Sequence, residues 1–444
     1  MITQICAKLE NKKILLLGYG REGKSTYHFL RKHFPDMEVG IYDKNEIKEE
    51  LEHVTLHTGD SYEEILAEYE LIIKSPGVVF HSKDDKQFKK LTSQTEIFLE
   101  YYREQTIGIT GTKGKSTTST LLTHILSNAG LDAILAGNIG IPVFDVLEKI
   151  KKDSIIVYEM SSHQLEYVSN SPHIAMHLNI YQEHLDHYGT FEKYAKAKEN
   201  IFKYQKPGDV LVYNQEFVHP GKEYLGEGIT ITDRLGDADM YVNESRICYG
   251  EDQIDIDEDE ILLKGHHNIY NIGASFCIAK HFGIDNNTFY EAVKTFKPLP
   301  HRLEYVAEIN GVKFYNDSIS TICETTIQGV MSLKNIDTLI LGGMDRGIDY
   351  QPLVDFILDS EINNLILMPD TGYRIRNLII NGNHSYEDKH IFIVTNVEEA
   401  VKVAKTETKK GMTCLFSPAA ASYGFFKNFE ERGNVFKNFV LEEK

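Results

Sequence analysis

The chain has 444 residues, 42% hydrophobic and 25% charged, with a formal net charge of −19; at roughly 150 residues per domain this allows about three globular domains, and an acidic chain with no long lysine–arginine block argues against gripping a nucleic-acid backbone. Cys6, Cys248, Cys277, Cys323 and Cys414 lie far apart and form no C-x-x-C pair, which speaks against a disulfide framework or structural zinc. With no basic-then-apolar leader and no run of about 18 apolar residues, the sequence reads as cytoplasmic, with no membrane partner.

Residues 13–18, Lys-Ile-Leu-Leu-Leu-Gly, form a short apolar run that predicts a buried strand. A helix is expected from Ser25 to about His33, then a strand over 38–43 ending in Asp43, and another over 71–74 running into Ser75, Pro76 and Gly77. The pattern restarts at 106–109 with a glycine-rich turn and a helix from about Lys115 to Asn128, followed by strands at 154–159, 174–179 and 209–213. The acidic stretch 250–263, with Ile254 and Ile256 alternating, predicts an exposed hairpin rather than an interaction tail. Beyond Pro298 and Pro300, strands are expected at 311–315, 337–342, 363–368 and 391–394, with helices between. Strands alternating with helices define an α/β chain, divided here into three domains at 1–103, 104–299 and 300–444.

Two glycine loops compete for a phosphate. The first runs from Gly18 through Gly20 and Gly23 to Lys24 and Ser25, satisfying G-x-G-x-x-G and G-x-x-x-x-G-K-S together. Asp43 lies 20 residues after Gly23 at the next strand end, where an acid suits a ribose hydroxyl. The second runs from Gly108 to Thr117 and misses the strict pattern, because Ile109 stands where a glycine should. Its Gly114-Lys115-Ser116 core is right, with Lys115 able to reach β- and γ-phosphates and Ser116 to help hold magnesium. Either loop alone could be only a tight strand–helix turn; on pattern alone the first fits better.

Context reverses that order. Thr110, Gly111, Thr112, Lys113, Gly114, Lys115, Ser116 and Thr117 resemble the ATP loop of the Mur ligases and of folylpolyglutamate synthases, with Lys113 where asparagine is usual. The resemblance runs along nearly the whole chain and implies a Rossmann-like N-terminal domain, a central P-loop ATPase-type domain and a Rossmann-like C-terminal domain. It implies that Gly18, Gly20, Arg21, Glu22 and Gly23, with Asp43, Ser75 and Gly77, hold the UDP of a substrate. Asn138, in Ala136-Gly-Asn-Ile-Gly140, falls near substrate and phosphate. Glu159 and His184 match magnesium ligands, and Lys198 matches a lysine carbamylated by CO2. Read without the resemblance, His184 and His187 are loop histidines and Lys198 an ordinary surface lysine. Asn268 and Asn271 resemble the adenine-side segment, though alone they could form a helix cap. Arg302 and Asp317 match residues on the nucleotide side; Thr321, Arg346, Ser417 and Phe426 match the pocket for an incoming amino acid.

What the resemblance implies is a monomeric ligase using ATP and two magnesium ions, with UDP-N-acetylmuramoyl-L-alanine and glutamate as substrates. A carboxylate takes the γ-phosphoryl group to give an acyl phosphate, the amine of glutamate attacks it, and domain closure brings the parts together. Where the D-glutamate-adding pattern reads Lys-Ala-Thr after Asp317 and Ser318, this chain has Ile319, Ser320 and Thr321. D-glutamate is favoured, and L-glutamate stays open. Two other readings stay open as well: a folylpolyglutamate-synthase-type ligase, against which the first loop speaks, and a non-catalytic nucleotide sensor, which leaves Glu159, His184, Lys198 and Asp317 unexplained.

Overall fold

Ile14–Leu17 has all four side chains buried and pairs in parallel with Val39–Asp43 on one side and Leu71–Lys74 on the other. A strand covered on both faces has no polar side to present, so it reads as an unbroken apolar run. The computed structural model describes residues 1–80, 85–382 and 386–442. Among these residues the first sheet has the order Val54–Thr58, Val39–Asp43, Ile14–Leu17, Leu71–Lys74, Leu91–Thr92, all parallel.

The second sheet places Thr106–Thr110 between Ile174–His177 and Ile155–Glu159, with Ala133–Gly137 at one edge. It continues past Ile174–His177 through Val210–Asn214, Glu227–Thr232 and Met240–Asn243 to the antiparallel hairpin of Arg246–Tyr249 and Asp252–Asp255. The third sheet has the order Glu304–Ile309, Val312–Asn316, Thr413–Phe416, Ile336–Leu341, Asn364–Leu367, His390–Ile393, parallel except for its first pair. The chain is therefore α/β throughout, with three predominantly parallel sheets in succession along the sequence.

These residues gather into two compact units, one of Met1–Ile256 with Ile269–Val293 and the other of Asp257–Asn268 with Lys294–Lys444. Inside the first unit the two sheets share a core. Phe29, on helix Arg21–His33, lies 4.8 Å centroid to centroid from Phe144, and the hydroxyls of Thr95 and Tyr158 meet at 2.7 Å. Each large apolar side chain taken wholly out of water there contributes about 1.5–3 kcal/mol.

Several expectations need correction. The helix expected from Ser25 begins at Arg21, because the glycine turn itself is its first turn. The strands Val54–Thr58, Leu91–Thr92, Ala133–Gly137, Glu227–Thr232, Met240–Asn243, Glu304–Ile309 and Thr413–Phe416 were not expected. Several of these are edge or half-exposed strands, with too few apolar residues to leave a run. The acidic hairpin exists, but it spans 246–255 and is not simply exposed: Ile254 and Ile256 are buried while the acids beside them face water.

Candidate active site

The second glycine loop is built around one residue in a left-handed conformation. Gly114 has φ +83°, and a Cβ there would come within 2.7 Å of Asn271 Oδ1, so glycine is required both by the backbone and by the approach of Asn271. Asn179 clamps the loop from the neighbouring strand end. Its Oδ1 accepts from the Thr112 and Lys113 amides at 3.1 and 2.9 Å, and its Nδ2 donates to the Lys113 carbonyl at 3.1 Å. Helix Lys115–Asn128 then starts with its amides open to an anion. Lys115 Nζ donates to the carbonyls of Gly111 and Thr112 at 2.9 and 3.0 Å, which holds the ammonium over the loop.

Around this loop stand three groups from separate strands and helices. Glu159 ends the strand Ile155–Glu159 and is 1% exposed. Its Oε1 accepts from Asn138 Nδ2 at 2.9 Å, while its Oε2 is buried with no partner among the described residues. Lys198, on helix Phe191–Lys203, is also 1% exposed. It donates to the Gly111 carbonyl at 2.8 Å and lies 5.1 Å from the Tyr194 ring centroid. Burial, helped by the nearby Lys115 charge, drives its ammonium well below the ordinary lysine range. A surface-lysine reading of this position is therefore wrong. His184 caps the short helix Leu185–Tyr188 at φ 57°, its ring 4.9 Å from that of His163.

An orphaned carboxylate oxygen beside a phosphate loop suits a hard divalent cation, which takes oxygen ligands and supplies the charge such an atom lacks. The residues present fit magnesium on that observation.

Lys115, Asn138, His163, His184, Tyr194 and Lys198 line one pocket of about 340 Å³. A second cleft, of about 630 Å³, is lined by Gly18, Gly20, Arg21, Glu22, Asp43 and Ser75 among others. Pro76, Gly77 and Asn138 line both, so the two are adjoining. The first loop is itself tightly specified: a Cβ on Gly23 would lie 2.2 Å from the Gly18 carbonyl oxygen. Ser75 Oγ donates to that same carbonyl at 2.8 Å. Asp43 Oδ2 accepts from the Tyr19 amide at 2.8 Å and so braces the turn.

The second unit carries the remaining candidates. Asn268 Nδ2 donates to the Lys264 carbonyl at 2.7 Å, inside helix His266–His281 rather than capping it. Arg302 is exposed. Asp317 is buried and pushed up to about 6 by burial, though Ser417 Oγ donates to it at 2.8 Å and the Leu303 amide at 3.2 Å. Arg346 Nη2 donates to the Thr321 carbonyl at 2.9 Å. Ser417 is wholly enclosed, its hydroxyl engaged by Asp317 and Thr326. The serine of that loop that faces a cavity is instead Ser422, with Phe426 and the buried Arg432, in a space of about 180 Å³.

Sequence reasoning assigned no role to Asn179, His163, Gln164 or His177, the last buried with its Nδ1 unpartnered among the described residues and lowered to about 3. The signal for Gln164 was local: Ser161 and Gln164 form a reciprocal capping box that fixes helix Ser162–Leu165 and turns His163 and Gln164 toward the two pockets.

Three predominantly parallel sheets and a glycine loop that opens helix Lys115–Asn128 together define an α/β protein of phosphate-loop type. Residues 109–279 match the model of the Mur ligase middle domain. Over 97% of this chain and 96% of its own length, the UDP-N-acetylmuramoylalanine–D-glutamate ligase of Clostridium tetani is 34% identical; an enzyme of the same name from Clostridium botulinum (strain Okra) is 36% identical over 97% of both chains. The chain belongs to the Mur ligase family. Among solved structures, the UDP-N-acetylmuramate–alanine ligase of Thermotoga maritima shares the fold at a TM-score of 0.60 and 16% identity, covering 96% of this chain and 99% of that one.

Proposed function

We propose that this chain is the cytoplasmic ATP-dependent ligase that joins D-glutamate to UDP-N-acetylmuramoyl-L-alanine, releasing ADP and phosphate, in the making of peptidoglycan precursors. The observation that carries the reading is the orphaned Glu159 oxygen, on the strand paired with the one that leads into the Lys115 loop and close enough to Lys198 to act on its charge, with Lys115 and Lys198 lining a pocket that adjoins the glycine-turn cleft. Residues 1–103 hold the sugar nucleotide, 104–299 the ATP and 300–444 the glutamate. Gly111 to Thr117 cradle the phosphates, and Asn268, Asn271, Arg302 and Asp317 serve the nucleotide. Gly18 to Gly23, Asp43, Ser75, Gly77 and Asn138 take the sugar nucleotide.

The substrate carboxylate attacks the γ-phosphorus and ADP leaves, giving an acyl phosphate. The amine of glutamate then attacks the acyl carbon, phosphate leaves, and the surplus proton passes to solvent. Lys115 and the amides at the start of its helix stabilise charge on the phosphoryl oxygens as they move. Magnesium, when bound, shields the phosphate charge, and Ser116, Glu159, His184 and Lys198 are the residues proposed to hold its two ions. Lys198 has the buried, readily neutral amine that adds CO2 to give a carbamate and a proton. For the amino acid, Thr321 and Arg346 are the proposed anchors, the arginine fork suiting a carboxylate. The D enantiomer is favoured by the names of the relatives, despite Ile319 in place of a lysine.

The test is phosphate release from ATP across a panel of amino acids. Release is expected only with UDP-N-acetylmuramoyl-L-alanine and D-glutamate both present. Release without either partner would overturn the ligase reading, and a clear preference in kcat/KM for L-glutamate would overturn the stereochemistry alone.

A further inference from the structure

A carboxyl group lines the cleft proposed for the sugar nucleotide. Glu22 is the second residue of helix Arg21–His33 and lines the same cleft as Gly18, Gly20 and Asn138. Its Oε1 accepts a hydrogen bond from Gln164 Nε2 at 2.6 Å. Its Oε2 is closed off from water and has no hydrogen-bond partner among the described residues. An ionised carboxylate so placed lacks the donors a buried charge needs, whereas the acid leaves only a neutral hydroxyl unmatched.

The groups facing Glu22 from other elements are few. Gln164 comes from helix Ser162–Leu165, Gln94 reaches the Glu22 carbonyl oxygen from helix Gln94–Tyr102, and the buried Tyr158 stands nearby on its strand. Lys74, at the end of Leu71–Lys74, supplies positive charge, divided between Glu22 and Glu166 and itself lowered to about 8 by burial. Burial outweighs these influences and raises the Glu22 carboxyl to about 7.

Resting on the reading of this cleft as the sugar-nucleotide site, we propose that Glu22 is its proton-linked specificity group: the diphosphate binds the form in which Glu22 carries its proton, so that binding above neutrality takes up one proton from water. Negative charges arriving beside an ionised carboxylate repel it. Beside the acid they do not, and once there they hold the acid protonated to higher pH. A diphosphate esterified at both ends has no proton of its own to exchange near neutrality. The glycine turn and helix N-terminus then select for the anion, and Glu22 makes that selection depend on pH.

The test is calorimetric titration of the full chain with UDP-N-acetylmuramoyl-L-alanine from about pH 6 to pH 8, in two buffers of different ionisation enthalpy. Wild-type affinity is expected to be flat up to about pH 7 and then to fall, approaching tenfold per pH unit, with uptake nearing one proton per ligand. Glu22→Gln, of the same shape and always neutral, should show no uptake and a flat profile around pH 7, with change only toward pH 8, where Lys74 loses its charge. Glu22→Ala should lose the uptake as well. A wild-type profile that does not bend, or an unchanged bend in both variants, would overturn the inference while leaving the cleft reading intact. Absence of binding at every pH would overturn both.

Discussion

The two glycine loops share one construction and differ at their lysines. Each follows a central parallel strand, each opens a helix, and each has a neighbouring side chain that pins the turn: Ser75 on the first, Asn179 on the second. In the first loop Lys24 turns away to pair with Glu49 and lies 5.4 Å from the Tyr19 ring centroid. In the second, Lys115 folds back over its own loop and lines a pocket with His184 and Lys198. The loop that matches the written pattern better thus has its lysine outside the cleft. The loop that departs from the pattern holds its lysine over its own backbone, in a pocket. A phosphate motif is a statement about backbone geometry, and both loops meet it; which nucleotide chemistry follows is decided by what surrounds the lysine.

Lys115→Ala gives the widest separation between the loops. The variant should fold, since the side chain is only partly buried, and should lose ligation by about a thousandfold, the scale on which a charge aimed at a transition state acts. Near-normal turnover with a folded protein, judged by phosphate release and circular dichroism, would mean that the second loop is not the ATP loop.

Lys198→Ala comes next, with a loss of about a hundredfold, typical when a group orienting or binding a metal is removed. Acetate should restore part of the rate by occupying the space with an anion. A crystal structure at neutral pH with Lys198 unmodified and turned to solvent would sink the carbamate.

The sequence made the interior strands and the phosphate helix legible because burial on both faces leaves a run that length and composition can identify. The helix expected from Lys115 to Asn128 has those bounds in the structure. Edge strands such as Val54–Thr58, with several exposed positions, left no such trace. The candidate site residues were named through resemblance, residue by residue, and hardly at all through chemistry. Nothing local marks Lys198 as buried, since its burial comes from strands 88 residues away. Gln164 meets Glu22 across 142 residues. Ser417 and Ser422 are alike as letters; only the fold shows the first hydroxyl held by Asp317 and the second lining a cavity.

Lys24→Ala should have the smallest effect, and its smallness is what distinguishes the loops. The Lys24–Glu49 pair is 42% and 50% exposed in its side chains, and such pairs contribute about 0–1 kcal/mol. Stability should therefore fall by less than about 1 kcal/mol. Lys24 is not among the residues lining the cleft, so its charge acts on an anion there only through solvent. That influence is screened over about 8–10 Å at ordinary ionic strength. The KM for the sugar nucleotide should rise no more than about threefold at low salt, shrinking as salt is added, with kcat unchanged. Glu49→Ala makes the converse change, freeing Lys24 and removing one negative charge, and should lower the same KM slightly. If Lys24→Ala instead abolishes turnover with the sugar-nucleotide KM untouched while Lys115→Ala is near normal, the two loops have exchanged roles, and the geometry of the lysines was a poor guide to them.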